Sequence, residues 1–368
     1  MSSRSPLLSG ARPGIGKNKA SLRWFTKALQ PWYAIHRRDL PWRRSKDPYR
    51  VWLSEVILQQ TRVDQGTAYW ERFVKRWPNV KALAKASEAD VLKEWQGLGY
   101  YSRARNLRTA AQQVVDRFAG RFPGTHAELR ALKGVGDYTA AAIASICFGQ
   151  PEAVVDGNVY RVLARVFGIG TPIDSTAGKR EFQEMAQALI DPGHPGDHNQ
   201  AVMELGATVC TPKQPLCDEC PIAGRCLARK EDRTTALPVK SKKTGVRERH
   251  FNYLVIRTPK GLLMRQRSGK DIWQGLWELP MVETARPGTL AVLRKALTEQ
   301  SSGALITEFK KMNGPVEHVL SHQRIVAVFW ECPVALRWKA PKDWRSFNPK
   351  QLLALPVHRL MERWMSGL

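Results

Sequence analysis

Apolar positions recur at helical spacing through the first two thirds of this chain and shift toward strand-like runs in the last third. Trp24, Phe25, Ala28, Leu29 and Trp32 set one stripe and predict a helix from Ser21 to about His36. Tyr49, Trp52, Leu53, Val56 and Ile57 set a second stripe, on a helix from Pro48 to about Gln60, and more helices follow between Trp70 and Phe118. From Leu129 to Val166 the pattern predicts a short helix, a glycine hairpin, a small-residue helix containing Ala140, Ala141, Ala142 and Ala144, a loop, and another helix. In that last helix Val159, Val162, Leu163, Val166 and Phe167 fall on one face. Helices near Lys179 to Leu189 and Asn199 to Val209 come next. After residue 250, Phe251 to Ile256, Leu262 to Gln266 and Ile325 to Trp330 read as strands, with helices near Gly288 to Gln300 and Pro356 to Met365.

These patterns divide the chain. Residues 1–19 hold Arg4, Arg12, Lys17 and Lys19 among Ser, Gly and Pro and read as a disordered basic lead-in; 20–229 is helical; 230–249, charged and irregular around Pro238, is a linker; 250–368 is an α+β domain. Charge then narrows the partner. Lys plus Arg is 58 against 33 for Asp plus Glu, a formal charge of +25, and the excess is spread along the chain as neutralising many phosphates requires. A membrane is argued against. The longest apolar run, Ala140 to Phe148, falls short of the roughly 18 residues of a spanning helix, and the first nineteen residues have no signal-peptide core.

Two carboxyls stand in environments that suit opposite protonation states. Asp156 precedes Gly157 and the start of a helix, where an aspartate caps the first amides and is favoured ionised. Glu55 sits on a helix that is apolar on both sides, with Val51 and Leu58 on its own face, so burial should raise its pKa and suit it to act as a general acid. At the hairpin, Gly134 and Gly136 flank Val135; lacking Cβ, they permit a tight turn whose amides face outward toward a phosphate oxygen, reinforced by the helix dipole.

Three further stretches have binding chemistry. Arg37 to Arg44 sets four arginines around Pro41 and Trp42, and Leu98 to Asn106 (LGYYSRARN) sets two tyrosines between glycine and two arginines, suited to stacking on bases and gripping phosphates. Cys210, Cys217, Cys220 and Cys226 lie within one short loop. Six cysteines without a secretion signal argue against disulfides, so the four form a metal site, and thiolates serve zinc and iron–sulfur equally. Cys147 and Cys332 are left for packing.

Leu132, Gly134, Val135 and Gly136, with Asp156 twenty residues beyond the second glycine, resemble the helix-hairpin-helix DNA glycosylase superfamily. Its endonuclease III-like bifunctional members place a lysine nucleophile where this chain has Tyr138, which cannot form a Schiff base. The resemblance is therefore to the monofunctional, MutY-type adenine DNA glycosylase branch, with the endonuclease III-like lyase on oxidised pyrimidines as the alternative. The run Ser54, Glu55, Val56, Leu58, Gln59, Gln60 and Thr61 reproduces a further family motif. What the resemblance implies is a mainly α glycosylase region of two helical subdomains, with the helix-hairpin-helix at 129–148 and a four-iron four-sulfur loop at 210–226.

The implied activity is hydrolysis of the N-glycosidic bond of a flipped-out adenine mispaired with 8-oxoguanine or guanine in double-stranded DNA. Glu55 is then the acid, Asp156 the stabiliser, and Tyr138 and Asn158 orient them. Arg38, Trp42 and Arg43 line the base pocket, Leu58 and Gln60 contact the duplex with Gln60 as the wedge, and Leu98 and Tyr100 sit near the opposite base. Gln200 lies in a segment near the pocket, with no role assigned. In the last domain, Gly275, Leu276, Trp277, Glu278 and Pro280 after the second strand resemble a Nudix (MutT-like) fold. Its helix TLAVLRKALTEQ lacks the Arg-Glu-x-x-Glu-Glu cluster of a hydrolase, which makes it a binding module. Leu320, Ser321 and His322 stand where the family checks the base opposite adenine. The expected setting is a monomer in the cytoplasm, on the nucleoid in a bacterium.

Overall fold

The computed structural model describes residues 22–241, 245–300, 309–312, 314–333 and 340–367, so the expectation for 1–19 lies outside the described residues. The helices before the first strand are α1 (Arg23–His36), α2 (Pro48–Leu58), α3 (Val63–Arg76), α4 (Val80–Lys85), α5 (Glu88–Trp95), α6 (Ser102–Phe118), α7 (His126–Arg130), α8 (Asp137–Phe148), α9 (Gly157–Phe167), α10 (Thr176–Leu189), α11 (Pro195–Thr208) and α12 (Leu227–Lys230). Beyond them come β1 (Arg247–Val255), β2 (Arg257–Thr258), β3 (Gly261–Gln266), β4 (Trp277–Glu278), β5 (Met281–Thr284), α13 (Leu290–Gln300), β6 (Lys310–Lys311), β7 (Val316–Val319), β8 (Gln323–Glu331), β9 (Trp344–Phe347), α14 (Pro349–Ala354) and α15 (Arg359–Met365). Among the described residues no helix is long and apolar enough to cross a membrane.

The chain packs as two compact units, Met1–Glu55 with Phe122–Lys242, and Val56–Arg121 with Lys243–Leu368. The first unit buries Phe25 and Leu29 of α1 against Val162, Leu163 and Val166 of α9, Phe182 and Met185 of α10, and Val202 and Leu205 of α11. Each such side chain gains roughly 1.5–3 kcal/mol by leaving water. Local signals fix the helix ends. Thr125 and Ser175 accept from the first-turn amides of α7 and α10, and Gly149 and Gly168 end α8 and α9 in the left-handed conformation. The alanines of α8 are buried, and at Gly196 of α11 a Cβ would lie 2.8 Å from Ile146 Cα, so the backbones of α8 and α11 meet nearly bare.

In the second unit α3 to α6 enclose Phe73, Leu83, Leu92, Trp95, Leu107 and Val114. One sheet runs β5-β1-β8-β6, with β7 also on β8; β1 and β8 are parallel, from Arg247 opposite Gln323 to Val255 opposite Glu331. The second runs β2-β3-β4, with β9 on β3. Between them Leu254, Ile256, Leu263, Val328 and Trp330 form an apolar core. Within this unit the helices bind the last domain directly. Lys93 Nζ donates to the Leu353 and Leu355 carbonyls at 2.6 and 3.0 Å, Gln96 Nε2 to Glu362 Oε1 at 2.9 Å, and Arg105 Nη1 to the Gln274 carbonyl at 2.6 Å.

The structure corrects several boundaries. In the stretch read as a linker, Leu237 is buried in the first unit's core, Ile173 N donates to the Val239 carbonyl at 3.0 Å, and the ladder to β8 draws β1 back to Arg247. Within the helical stretch 20–229, residues 56–121 group with the last third, in keeping with two helical subdomains. α2 stops at Leu58, with Gln60 left-handed at φ +58°. The last helix starts at Arg359, because Trp277 N pairs with the Pro356 carbonyl at 2.8 Å.

Candidate active site and cysteine loop

Asp156 is the N-cap of α9. Its Oδ1 accepts from the amides of Asn158 and Val159 at 2.9 and 2.8 Å, and its Oδ2 from Asn158 Nδ2 at 2.8 Å. Burial pushes its pKa up and outweighs these three bonds, so the cap does not win as the sequence suggests, though it gives the ionised form three donors. Glu55, half-buried on a helix whose Val51, Trp52 and Val56 are buried, is pushed up to about 7 by burial, against the hydrogen bond from Tyr138 and with the Asp156 charge adding to the rise. The Tyr138 hydroxyl, held protonated by burial, lies 3.5 Å from Met203 Sδ. The first unit thus brings Glu55, Tyr138, Asp156 and Asn158 to one place.

Asn158 is itself held. Its Oδ1 accepts from Arg161 Nη2 at 2.8 Å, while Arg161 Nε donates to the Cys210 carbonyl at 2.6 Å and Nη2 to the Gly206 carbonyl at 2.7 Å. Gly206 lets α11 come this close: a Cβ there would lie 2.6 Å from Asn158 Cβ. Arg38 and Arg43 are anchored by the buried Glu204, which accepts from Arg38 Nε and Arg43 Nη2, each at 2.7 Å, and is held down to about 2 by those arginines despite burial. Trp42 is buried beside them, and Tyr33 donates to Gln200 Oε1 at 3.1 Å.

At the hairpin only Gly134 is left-handed, at φ +76°; Gly136, the N-cap of α8, has φ −93°, which any residue adopts, so it does not need to be glycine for its backbone. Val135 is buried, and both glycines are exposed, as is the amide end of α8. That exposure suits an anion at a helix N-terminus.

The four loop cysteines line one shared pocket with Arg165, Val162, Leu205 and Ile222. Arg165 is fully buried and donates from Nη1 to Cys210 Sγ at 3.3 Å, its other acceptors being the neutral carbonyls of Leu237, Thr211 and Pro212. A buried guanidinium with no carboxylate partner among these fits a site whose thiols become anionic. Among the described residues no group of three or more Cys, His, Asp or Glu stands close enough to hold a single ion, so four thiols spread around one pocket suit a cluster better, and Cys210, Cys217, Cys220 and Cys226 would hold four-iron four-sulfur there.

The second unit gathers a separate set. Leu98 is buried, Tyr100 is exposed and left-handed at φ +48°, and its hydroxyl hydrogen-bonds Ser321 Oγ. Ser321 and His322 are the exposed centre of a tight turn closed by Leu320 N donating to the Gln323 carbonyl at 2.7 Å. Leu58 is half-buried and Gln60 exposed. Sequence reasoning missed Glu204, Arg161, Arg165 and Gly206. Arg161 and Arg165 could have been found as charges on an otherwise apolar helix ahead of a cysteine loop; Gly206 left no local signal.

Over residues 53–188 the chain matches the HhH-GPD superfamily of base excision DNA repair proteins, over 210–226 the iron–sulfur binding domain of endonuclease III, and over 252–367 the NUDIX domain. The adenine DNA glycosylase of Homo sapiens is 38% identical over 366 residues, taking in 84% of this chain and 67% of that protein. That of Rattus norvegicus is 37% identical over 361 residues, 83% of this chain and 70% of that one. The solved structure of a thermostable thymine-DNA glycosylase is 28% identical with a TM-score of 0.53, covering 57% of this chain and 97% of its own. Likeness at 38% and 37% identity to two curated relatives over two thirds or more of their length means that the chain belongs to the adenine DNA glycosylase family.

Proposed function

We propose that this protein excises adenine mispaired with 8-oxoguanine or guanine from double-stranded DNA by hydrolysis alone, without cutting the backbone. The enzyme class is that of the family, a hydrolase of N-glycosyl bonds in base excision repair. The observation that carries the finer reading is Tyr138, hydrogen-bonded to Glu55 and within the field of Asp156 at the position where a lyase needs an amine.

Glu55 is protonated up to about pH 7 and donates its proton to N7 of the extruded base, so the C1′–N9 electron pair leaves on a neutral adenine. Asp156, ionised and held by three N–H donors, faces the sugar and stabilises the oxocarbenium-like transition state. Water adds to C1′ and returns a proton to Glu55. Asn158 fixes the Asp156 carboxylate, and Tyr138 fixes Glu55. Arg38, Trp42 and Arg43 line the base pocket with Glu204 as their anchor. The exposed amides of the hairpin at Gly134, Val135 and Gly136 hold phosphate. Leu58 and Gln60 enter the base stack, and Leu98, Tyr100, Ser321 and His322 meet the opposite base. The iron–sulfur group supplies no hydrolytic chemistry; its cysteines and Arg165 brace the end of α9. The protein works as a monomer, in the cytoplasm, and on the nucleoid if its source is a bacterium.

Single-turnover reactions on duplexes with adenine opposite 8-oxoguanine, adenine opposite guanine, and thymine glycol, each with and without alkali, test the reading. The expected result is adenine loss from the first two and strand breaks only after alkali. Breaks without alkali, or activity only on thymine glycol, would establish the lyase instead.

A further inference from the structure

Gln60 and Tyr100 share an unusual backbone state. Both are non-glycine residues in the left-handed region, at φ +58° and +48°, each in an exposed position on a short turn. Such a conformation costs roughly the same at each residue and persists only where its surroundings impose it. One side chain touches both turns. Arg103 Nη1 donates to the carbonyls of Val56, Ile57 and Gln59 at 2.9, 3.0 and 2.5 Å, and Nη2 lies within 3.4 Å of the Leu98 carbonyl and 3.3 Å of the Gly99 carbonyl. The Gln59 and Gly99 carbonyls belong to the peptide groups immediately ahead of the two left-handed residues.

The rest of the site explains why an arginine does this. α2 ends without a glycine, so its last carbonyls need an outside donor, and the guanidinium serves two of them, Val56 and Ile57, together with Gln59 just beyond the helix. Its Cζ lies over the Trp95 and Tyr100 rings, 5.0 and 5.6 Å from their centroids. Nε finds no acceptor among the described residues, so the two Nη groups alone set the head's position. Burial lowers its pKa to about 10, which leaves it charged at neutral pH.

We propose that Arg103 is a positioning residue that imposes the left-handed turns of Gln60 and Tyr100 together, so that the wedge and the opposite-base contact are aimed by a single half-buried cation. The proposal rests on the reading of those two residues as duplex-facing. It assigns Arg103 to base extrusion and not to bond cleavage.

The test uses the full chain with its cluster. Arg103→Lys keeps the charge but cannot span five carbonyls, and Arg103→Gln removes it. In an Asp156→Asn background, a duplex with 2-aminopurine opposite 8-oxoguanine reports extrusion by fluorescence; with Asp156 intact, single-turnover rates at saturating enzyme are followed against pH. The expected result is a roughly tenfold loss of extrusion and rate in Arg103→Lys, with the pH midpoint of the rate unmoved and partial recovery on adding Gln60→Asn, since asparagine enters the left-handed region more readily. Wild-type extrusion in both variants would overturn the proposal. So would a displaced pH midpoint, or a loss in Arg103→Lys matched by loss of cooperative melting, which would make the residue structural only. A wild-type protein that extrudes nothing would instead overturn the functional reading beneath it.

Discussion

Replacing Glu55 with glutamine should make the protein more stable and nearly inactive, and the gain in stability should depend on pH. The Glu55 carboxyl is raised from 4.5 to about 7, chiefly by burial, so the folded state binds an extra proton between those values. Stability is therefore fully present below about pH 4.5 and declines as pH rises toward 7, by about 3 kcal/mol in total. Glutamine resembles the protonated acid in shape and charge. Glu55→Gln should match the wild type near pH 4.5 and exceed it by about 3 kcal/mol at pH 8, or roughly 6–12 °C in Tm for a unit of this size. The catalytic effect is opposite, because glutamine cannot deliver a proton to N7. The wild-type single-turnover rate should fall tenfold per pH unit above 7, while the variant is slow and flat across the range. Thermal melts followed by circular dichroism from pH 5 to 8.5, alongside single-turnover kinetics at the same pH values, make the comparison. A stability difference that stays constant with pH, or a wild-type rate that keeps rising past pH 8, would refute the buried-acid assignment.

Asp156→Asn should retain the helix cap through its remaining oxygen, and so fold, but lose several kcal/mol of barrier lowering because no negative charge faces the sugar; near-normal mispair affinity with a collapsed single-turnover rate is the expected pair of readings. Purified protein should be brown, with about four irons per chain by metal analysis, and a colourless protein holding one zinc would contradict the cluster. Replacing Ser321 and His322 together by alanine should narrow the preference for adenine opposite 8-oxoguanine over adenine opposite guanine by about 1–3 kcal/mol, measured as the ratio of affinities, with the cleavage step on bound substrate little changed.

Much of the chemistry could be read along the chain because it is local. Asp156 caps the helix that begins one residue later, Glu55 lies among apolar neighbours three and four residues away, and four cysteines share one loop, so periodicity and spacing suffice to find them. What could not be read depends on contacts distant in sequence. Glu204 becomes the anchor of Arg38 and Arg43 only because α11 folds back beside the Pro41–Arg44 turn, and helical periodicity alone makes it an ordinary polar position. Leu237 and Val239 sit in a charged stretch that looks like a tether, and only the core that receives them makes them part of the first unit. Asp156 divides in the same way: its cap is local and legible, whereas the burial that raises its pKa comes from contacts distant in sequence.

At Gly206 the margins of packing and of catalysis coincide. A single added methyl would press within 2.6 Å of the Asn158 side chain and 2.9 Å of its carbonyl, and Asn158 is what holds Asp156. Such a change touches no substrate and alters no charge, yet its cost would be read as lost turnover. Mutational tolerance in this protein therefore cannot be mapped by contact with the reacting atoms: a position on the facing side of a neighbouring helix can be as intolerant as a catalytic carboxylate, and sequence drift on α11 is constrained by what α9 must present.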